Sequence, residues 1–379
     1  MALIHPTYAL FIGIPLAGFV VARALLARRE LVPATLGLVA LAAPTAIALA
    51  WLRPVVEATT SHDPSRVEVQ RAFAKYPGQL AGDTQHYHLT EQLFSRSGAI
   101  AVAALACVPL ALLAARRRWA AWVLGGSLAV FVLTLLPWVF PHFADAVSIS
   151  QGRRFAGFVP LPYALAGGLA AIAGVVGLLV LPLALAAGIV LQLAYPGEFG
   201  YRFHGTTPAW PAWVAVAGGL AALVLGLVLH RWDRSDRRGP LVALAAVLLA
   251  LPVAVHGFSH WTRSGTGAGA LTRGLTRAIR ADAQPKDVLF ADPNTGYLLA
   301  AYAPVYLANA PFAHVAATRQ NRPRERLRDA FKFYAHGGDV AIPRYYGARW
   351  ILVDLKRHRL RLHLPRAYAD RRYVLYRLR

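Results

Sequence analysis

Eight stretches of the chain, at residues 7–27, 31–52, 98–115, 119–140, 159–176, 178–195, 212–229 and 240–256, are apolar and nearly free of charge. Each has about the 17–25 residues a helix needs to cross a hydrocarbon core of about 30 Å, so the pattern predicts about eight transmembrane helices. The gaps between them alternate in character. Arg23, Arg28 and Arg29 sit in one short gap, Arg116, Arg117 and Arg118 in a second, and Arg231, Arg234, Arg237 and Arg238 in a third. The intervening gaps are longer and near neutral. Short basic loops stay in the cytoplasm. The alternation therefore predicts an outward amino end, outward loops at 53–97, 141–158 and 196–211, and an outward carboxyl-terminal region. The tract 157–195 carries no charged side chain. A single helix of that length would be nearly twice as long as the core is thick. Two helices turning near Gly174–Gly177 are predicted instead, with Pro182 kinking the second.

Past residue 257 the pattern changes. FSHWTRSGTGAG reads as a linker, and GTGAG (265–269) lacks the strand-to-helix setting of a phosphate loop. Leu271, Leu275 and Ile279 have helical spacing over 269–283. DVLFAD (287–292) reads as a buried strand, NTGYLLAAYA (294–303) as a helix and VYLAN (305–309) as a strand. Residues 322–337 read as an amphipathic helix closed by Gly337, Ile342–Tyr346 as a short helix, RWILVD (349–354) as a second buried strand and Arg372–Leu378 as an edge strand. Alternation of strand and helix predicts a small α/β layer structure. The predicted fold is thus an α-helical polytopic membrane domain over 1–257 followed by an extracytoplasmic α/β domain over 258–379. That arrangement implies a multi-pass protein of the plasma (inner) membrane.

A mean hydropathy of +0.44 and a charged fraction of 15% suit such a protein. The net charge is +22, and residues 257–379 hold 22 Lys and Arg against 8 Asp and Glu, a net of +14. A basic outward domain fits anionic headgroups, polyprenyl phosphates or acidic glycans. It fits equally a solvated Arg-rich surface of a high-GC genome, since Arg outnumbers Lys 36 to 4. Nucleic acid is a poor partner for a domain tethered outside a membrane. Cys107 is the sole cysteine and lies within a predicted span, which excludes an intramolecular disulfide and argues against a cysteine nucleophile or a zinc site.

QPKDVLFADPNTGYLLAAYAPVYLANAP followed by YGARWILVD is similar to the outer domain of large actinobacterial GT-C class glycosyltransferases, and VSISQGRRFAGFVPLPYALAGG resembles their later spans. The likeness covers nearly the whole chain but only the later part of the family architecture. It implies transfer of a sugar from a polyprenyl phosphate to an acceptor glycan on the outer face, in some members with a divalent cation. It also implies an acidic base in the first outward loop, usually after the first span. No segment here matches that loop. The chain begins almost directly in an apolar run with no cleavable-signal pattern. Spans ahead of residue 1, or a partner chain supplying them, would account for an outward amino end and for the missing base. Enzymatic activity of this chain alone is left open by the sequence.

Several loop residues carry candidate chemistry. Asp83, His86, His88 and Glu91 gather two imidazoles and two carboxylates; His86 and His88 with either acid fit a divalent cation, or a solvated loop. Asp83, Glu91 and Asp145 are the acids available as a base. Arg153 and Arg154 stand just outside a span, near His142, Asp145 and Gln151, and suit a lipid phosphate or a pair of headgroup anchors. Glu198, Tyr201, Arg202 and His204 suit a sugar or an interfacial anchor. Asp292 and Asn294 end a strand, where α/β folds place ligands. Arg319, Asn321, Arg322 and Arg324 suit a glycan or phosphate, or a solvated helix entrance. Three readings result: a GT-C-like envelope glycosyltransferase, a non-catalytic membrane module binding glycan or lipid carrier, and a transporter or flippase. The spans hold prolines but no midplane charges, which disfavours the last.

Overall fold

A computed structural model describes residues 6–27, 31–58, 63–197, 207–228, 238–261, 271–315 and 317–378. The chain divides into two compact units: Met1–Pro54 with Ser61–Thr262, and Val55–Thr60 with Arg263–Arg379.

The first unit is helical. Its helices are α1 (Pro6–Leu26), α2 (Leu31–Glu57), α3 (Arg66–Lys75), α4 (Ala99–Ala106), α5 (Arg118–Leu135), α6 (Phe140–Val147), α7 (Ile149–Phe155), α8 (Leu161–Val176), α9 (Val180–Ala194), α10 (Trp210–Val228) and α11 (Gly239–Ser259). A hairpin of β1 (Leu80–Gly82) and β2 (Tyr87–Leu89) follows α3. Six helical stretches among the described residues are long and apolar enough to cross a membrane: Tyr8–Leu26, Leu31–Pro54, Arg118–Leu135, Ile149–Ala194, Trp210–Val228 and Gly239–Ser259. That is the make-up of a polytopic helical membrane protein.

Three of the eight predicted spans, 98–115, 159–176 and 178–195, are not set out one by one among those stretches. Residues 98–115 are not one α-helix: α4 stops at Ala106 and a 3₁₀ helix runs over Val108–Ala114. Pro109 cannot donate to the carbonyl four residues back, and its ring packs against Gly218 of α10. The 46-residue stretch Ile149–Ala194 contains both spans of the predicted pair. Gly177, with φ 62°, ends α8 in a backbone conformation that a side chain would strain. The chain reverses there. Ala99 N donates to Tyr195 O at 3.0 Å, and Gly168 packs directly on Cys107. Residues 99 and 107 are about 12 Å apart along a helix, whereas one helix from 168 to 195 would be about 40 Å long.

Small residues set the helix spacing. Gly18 of α1 and Gly125 of α5 pack backbone to backbone, and a Cβ on either would collide with the other's carbonyl oxygen. Close approach through small residues is how helices associate in lipid, where burying apolar surface gives no advantage. The pairing is antiparallel and places Arg23 beside Arg116, whose carbonyl oxygen accepts from Arg23 Nη1 at 2.7 Å. At the same end, Gly226 of α10 lies against Ala115 and Leu26. One end of the unit therefore gathers Arg23, Arg116–Arg118 and the α10 terminus that leads into the third Arg-rich gap. Arg28, Arg29, Arg231, Arg234 and Arg237 lie outside the described residues. The opposite end carries the polar loop layer, where Ser95 Oγ donates to Pro208 O at 2.8 Å and Thr207 Oγ1 to Gln92 O at 2.8 Å.

The second unit contains α12 (Arg273–Asp282), β3 (Val288–Phe290), α13 (Pro293–Ala300), β4 (Tyr306–Leu307), α14 (Pro323–Ala335), α15 (Ala341–Tyr345), β5 (Ala348–Asp354), β6 (Arg366–Ala369) and β7 (Tyr373–Arg377). They form a five-stranded sheet of order β4-β3-β5-β7-β6, parallel among β4, β3 and β5 and antiparallel beyond. Leu275, Ile279, Leu289, Trp350, Leu352 and Leu375 fill one core, while Phe290, Phe333, Ile351, Val353 and Tyr376 fill another. The α/β layer is as predicted from the sequence, with one correction. Residues 372–378 do not form an edge strand. β7 lies between β5 and β6, and Tyr373, Val374, Leu375 and Tyr376 are all buried. A strand covered on both faces loses the one-sided exposure that an edge assignment assumes.

Candidate functional site

The loop layer of the helical unit is built around Arg153. α6 and α7 meet at Ser148, whose hydroxyl oxygen accepts from Gln151 N and so caps α7. This turn sets Arg153 and Arg154 on the last turn of α7. The Arg153 guanidinium lies 4.3 Å from the centre of the Tyr76 ring and donates to Gln79 Oε1 at 2.7 Å. Tyr76 follows the end of α3, a helix fixed by a capping box in which Ser65 and Glu68 bond each other's backbone amides. Burial pushes the Tyr76 hydroxyl up, but its bond with Ser150 and the charges of Lys75 and Arg153 outweigh this and bring it below the ordinary phenol value. Arg96 approaches from the 3₁₀ turn Glu91–Ser95, its Nη2 standing 3.4 Å from where a Gly157 Cβ would lie. The charges of Arg96 and Arg154 both bear on Arg153. No carboxylate among the described residues forms an ion pair with these three guanidinium groups.

Asp145 lies on the preceding helix. Its carbonyl oxygen accepts from Asp63 N at 3.3 Å, and His142 Nδ1 is 4.0 Å from its Oδ2. Burial and the neighbouring Asp63 charge push the Asp145 carboxyl above its ordinary value, with His142 offsetting only part of this. Burial, with Asp145 nearby, also pushes the Tyr87 hydroxyl up to about 12. A carboxyl held above its ordinary value is suited to proton transfer.

The other sequence candidates behave differently. Asp83 Oδ1 accepts from His86 N at 2.7 Å and Gln85 N at 2.6 Å, and these backbone bonds hold the carboxyl low in an exposed turn. His86 Nδ1 is 3.9 Å from Asp83 Oδ2, while His88 lies on β2 and Glu91 opens the 3₁₀ turn. The predicted cation cluster of His86, His88, Asp83 and Glu91 does not assemble. Among the described residues no three His, Cys, Asp or Glu side chains gather as metal ligands. The physical reason is the hairpin, which places His86 in the turn and His88 on a strand. Glu198, Tyr201, Arg202 and His204 lie outside the described residues. Arg319 is exposed, and Arg322 is held by Glu325 at 3.2 Å and by the Tyr345 hydroxyl at 3.2 Å at the entrance to α14. In the second unit Asp292 caps α13 through Thr295 N at 3.2 Å, and Asn294 is exposed beside it. Tyr76, Gln79 and Arg96 were not singled out by the sequence. They reach Arg153 from 57 to 77 positions away, and no local spacing signals such a contact.

No family model matches the chain, and neither a curated protein nor a solved structure is found similar to it.

Proposed function

We propose that the protein is a GT-C-like glycosyltransferase of the cell envelope, and that Arg96, Arg153 and Arg154 receive the phosphate of a polyprenyl-linked sugar. The observation that carries this reading is Arg153, held by Tyr76 and Gln79, with the charges of Arg96 and Arg154 bearing on it and no carboxylate partner among the described residues. Guanidinium forks match phosphate oxygens, and a carrier headgroup lies at the depth where a span meets its loops. Arg23, Arg116–Arg118 and the end of α10 that leads into the third Arg-rich gap gather at the opposite end of the unit. If that end is cytoplasmic, as short basic loops are, the Arg153 layer and the carboxyl-terminal α/β unit face outward. Asp145 is then a better candidate base than Asp83, because burial and the Asp63 charge raise its carboxyl whereas backbone bonds lower that of Asp83; Glu91 is the other candidate.

The test is binding of a polyprenyl-phosphate-linked sugar to the protein in nanodiscs. Charge-assisted bonds contribute about 1.5–3 kcal/mol each, so Arg153→Gln with Arg154→Gln weakens binding at least about tenfold. Unchanged affinity in a folded double variant leaves these residues as headgroup anchors and defeats the reading. A non-catalytic module that binds the lipid carrier is the second reading. The tight engagement of Asp83 by its own turn favours it, and it predicts binding without transfer.

A further inference from the structure

The last apolar helix ends in VHGFSHW, which sets His256 and His260 four residues apart. Spacing of i, i+4 puts both side chains on one helix face, one turn apart, as in the zinc-binding H-E-x-x-H motif. Gly257 stands where that motif has its Glu, so the pair keeps the ligand spacing without the general base. The structure brings the two rings together, with centres 4.2 Å apart and planes tilted by 39°. Both lie at the end of α11 remote from Arg238, which opens the helix. His260 is exposed and closes the helix, its backbone amide donating to His256 O at 3.2 Å.

The hydrogen bonds sort the ring nitrogens. His260 Nδ1 lies 2.9 Å from His256 O, and a carbonyl oxygen only accepts, so Nδ1 carries the proton. In the neutral ring the lone pair is then on Nε2. Ser259 reinforces this arrangement: its Oγ donates to the same carbonyl at 2.9 Å and stands 3.1 Å from His260 Nδ1. A ring N–H held by a backbone carbonyl is the support that metal-ligating histidines almost always have. Two nitrogens bound to one zinc ion at about 2.0–2.1 Å stand about 3.3 Å apart at the tetrahedral angle, a separation within reach of rings this close. The carboxyl end of a helix also favours a cation, because its last carbonyl groups lack intrahelical donors. Among the described residues no third His, Cys, Asp or Glu side chain joins the pair, so solvent takes the remaining positions. Imidazole suits zinc, nickel and copper, whereas magnesium and calcium take oxygen ligands.

We propose that His256 and His260 together bind one borderline divalent transition ion, of the zinc and copper class, at the end of α11. The site goes beyond the glycosyltransferase reading, uses none of its residues and is tested independently of it. The probe is Cu(II) alone, the tightest binder of the divalent series. It is added to the full chain in nanodiscs, prepared without a polyhistidine tag. Electron paramagnetic resonance should show a bound ion with two imidazole nitrogens, a result that needs no variant. Zn(II) displaces the ion and excess Mg(II) does not. The chain has 13 histidines, so substitutions assign the site. His256→Gln and His260→Gln should each weaken Cu(II) binding about tenfold or more, since loss of even a supporting group costs a metal site about 10–100-fold. His86→Gln with His88→Gln should bind as the wild type does. The proposal is overturned if the wild type binds no Cu(II), if its spectrum shows fewer than two imidazole nitrogens, if Mg(II) displaces the ion, if either single variant binds as the wild type does, or if the His86 and His88 double variant loses the ion.

Discussion

Replacing Tyr76 by Leu asks whether Arg153 is a placed ligand-binding group or a loose surface charge. Leu retains apolar bulk next to α3 but removes the ring on which the guanidinium rests, 4.3 Å from its centre. A cation over an aromatic face is stabilised by about 0.5–1 kcal/mol when exposed and by about 2 when desolvated. Arg153 is half-buried, so a value near 1–1.5 kcal/mol is appropriate. The Gln79 bond at 2.7 Å survives the change and keeps the side chain from swinging fully away. Affinity for the polyprenyl-phosphate-linked sugar should then fall about five- to tenfold. Isothermal titration or microscale thermophoresis in nanodiscs reads this directly. The decisive arm is a double-mutant cycle with Arg153→Gln, because two groups acting through one contact are not additive. On the Arg153→Gln background, Tyr76→Leu should change affinity by less than about twofold. An equal loss on both backgrounds would show that Tyr76 acts independently of Arg153 and would refute the reasoning.

Other consequences are sharper in stability or topology. Gly18→Val or Gly125→Val forces α1 and α5 apart, and overpacking of this kind costs about 1–3 kcal/mol or more; the melting temperature in detergent should drop, and an unchanged value would mean the helices do not meet there. Asp370 accepts from Thr272 Oγ1, Tyr368 OH, Arg372 N and Tyr373 N at 2.6, 2.7, 2.7 and 2.6 Å. Burial raises its pKa, but these bonds outweigh it and hold the carboxyl below its ordinary value. Its stabilisation is therefore present above the unfolded value of about 3.9 and lost as pH falls through the folded one. Asp370→Asn should destabilise the protein at pH 7 and converge on the wild type at acid pH; a gap that widens on acidification would reverse the sign and contradict the account. In a Cys107→Ala background, Thr84→Cys and Thr318→Cys should react with an impermeant thiol reagent in intact cells while Arg117→Cys stays protected, and the inverse pattern would invert the topology.

Much of this architecture was legible because apolar runs and charge gaps follow directly from the solvent a segment must face. The reversal at Gly177 and the strands around Leu289 and Leu352 belong to that class. Residues 98–115 misled for a reason that hydropathy does not register: Pro109 changes the hydrogen-bond pattern without changing the apolar character. β7 misled because partial alternation of side chains does not reveal that β6 covers its outer edge. The site was legible only in part. Arg153 and Arg154 stand out as a charged pair next to an apolar tract, and Asp292 as an acid at the end of a strand. The ring under Arg153 and the arginine that bridges Asp292 to Asp354 are tertiary contacts across tens of residues, which no local pattern encodes.

The central claim is that a lipid phosphate sits against Arg96, Arg153 and Arg154. A polyprenyl phosphate carrying a diazirine beside its phosphate, irradiated with the protein in nanodiscs, tests it directly by peptide mapping. The account predicts crosslinks within residues 76–96 and 149–158, reduced by Arg153→Gln with Arg154→Gln. Crosslinks confined to the Arg116–Arg118 end of the unit, or unaffected by the double substitution, would contradict it.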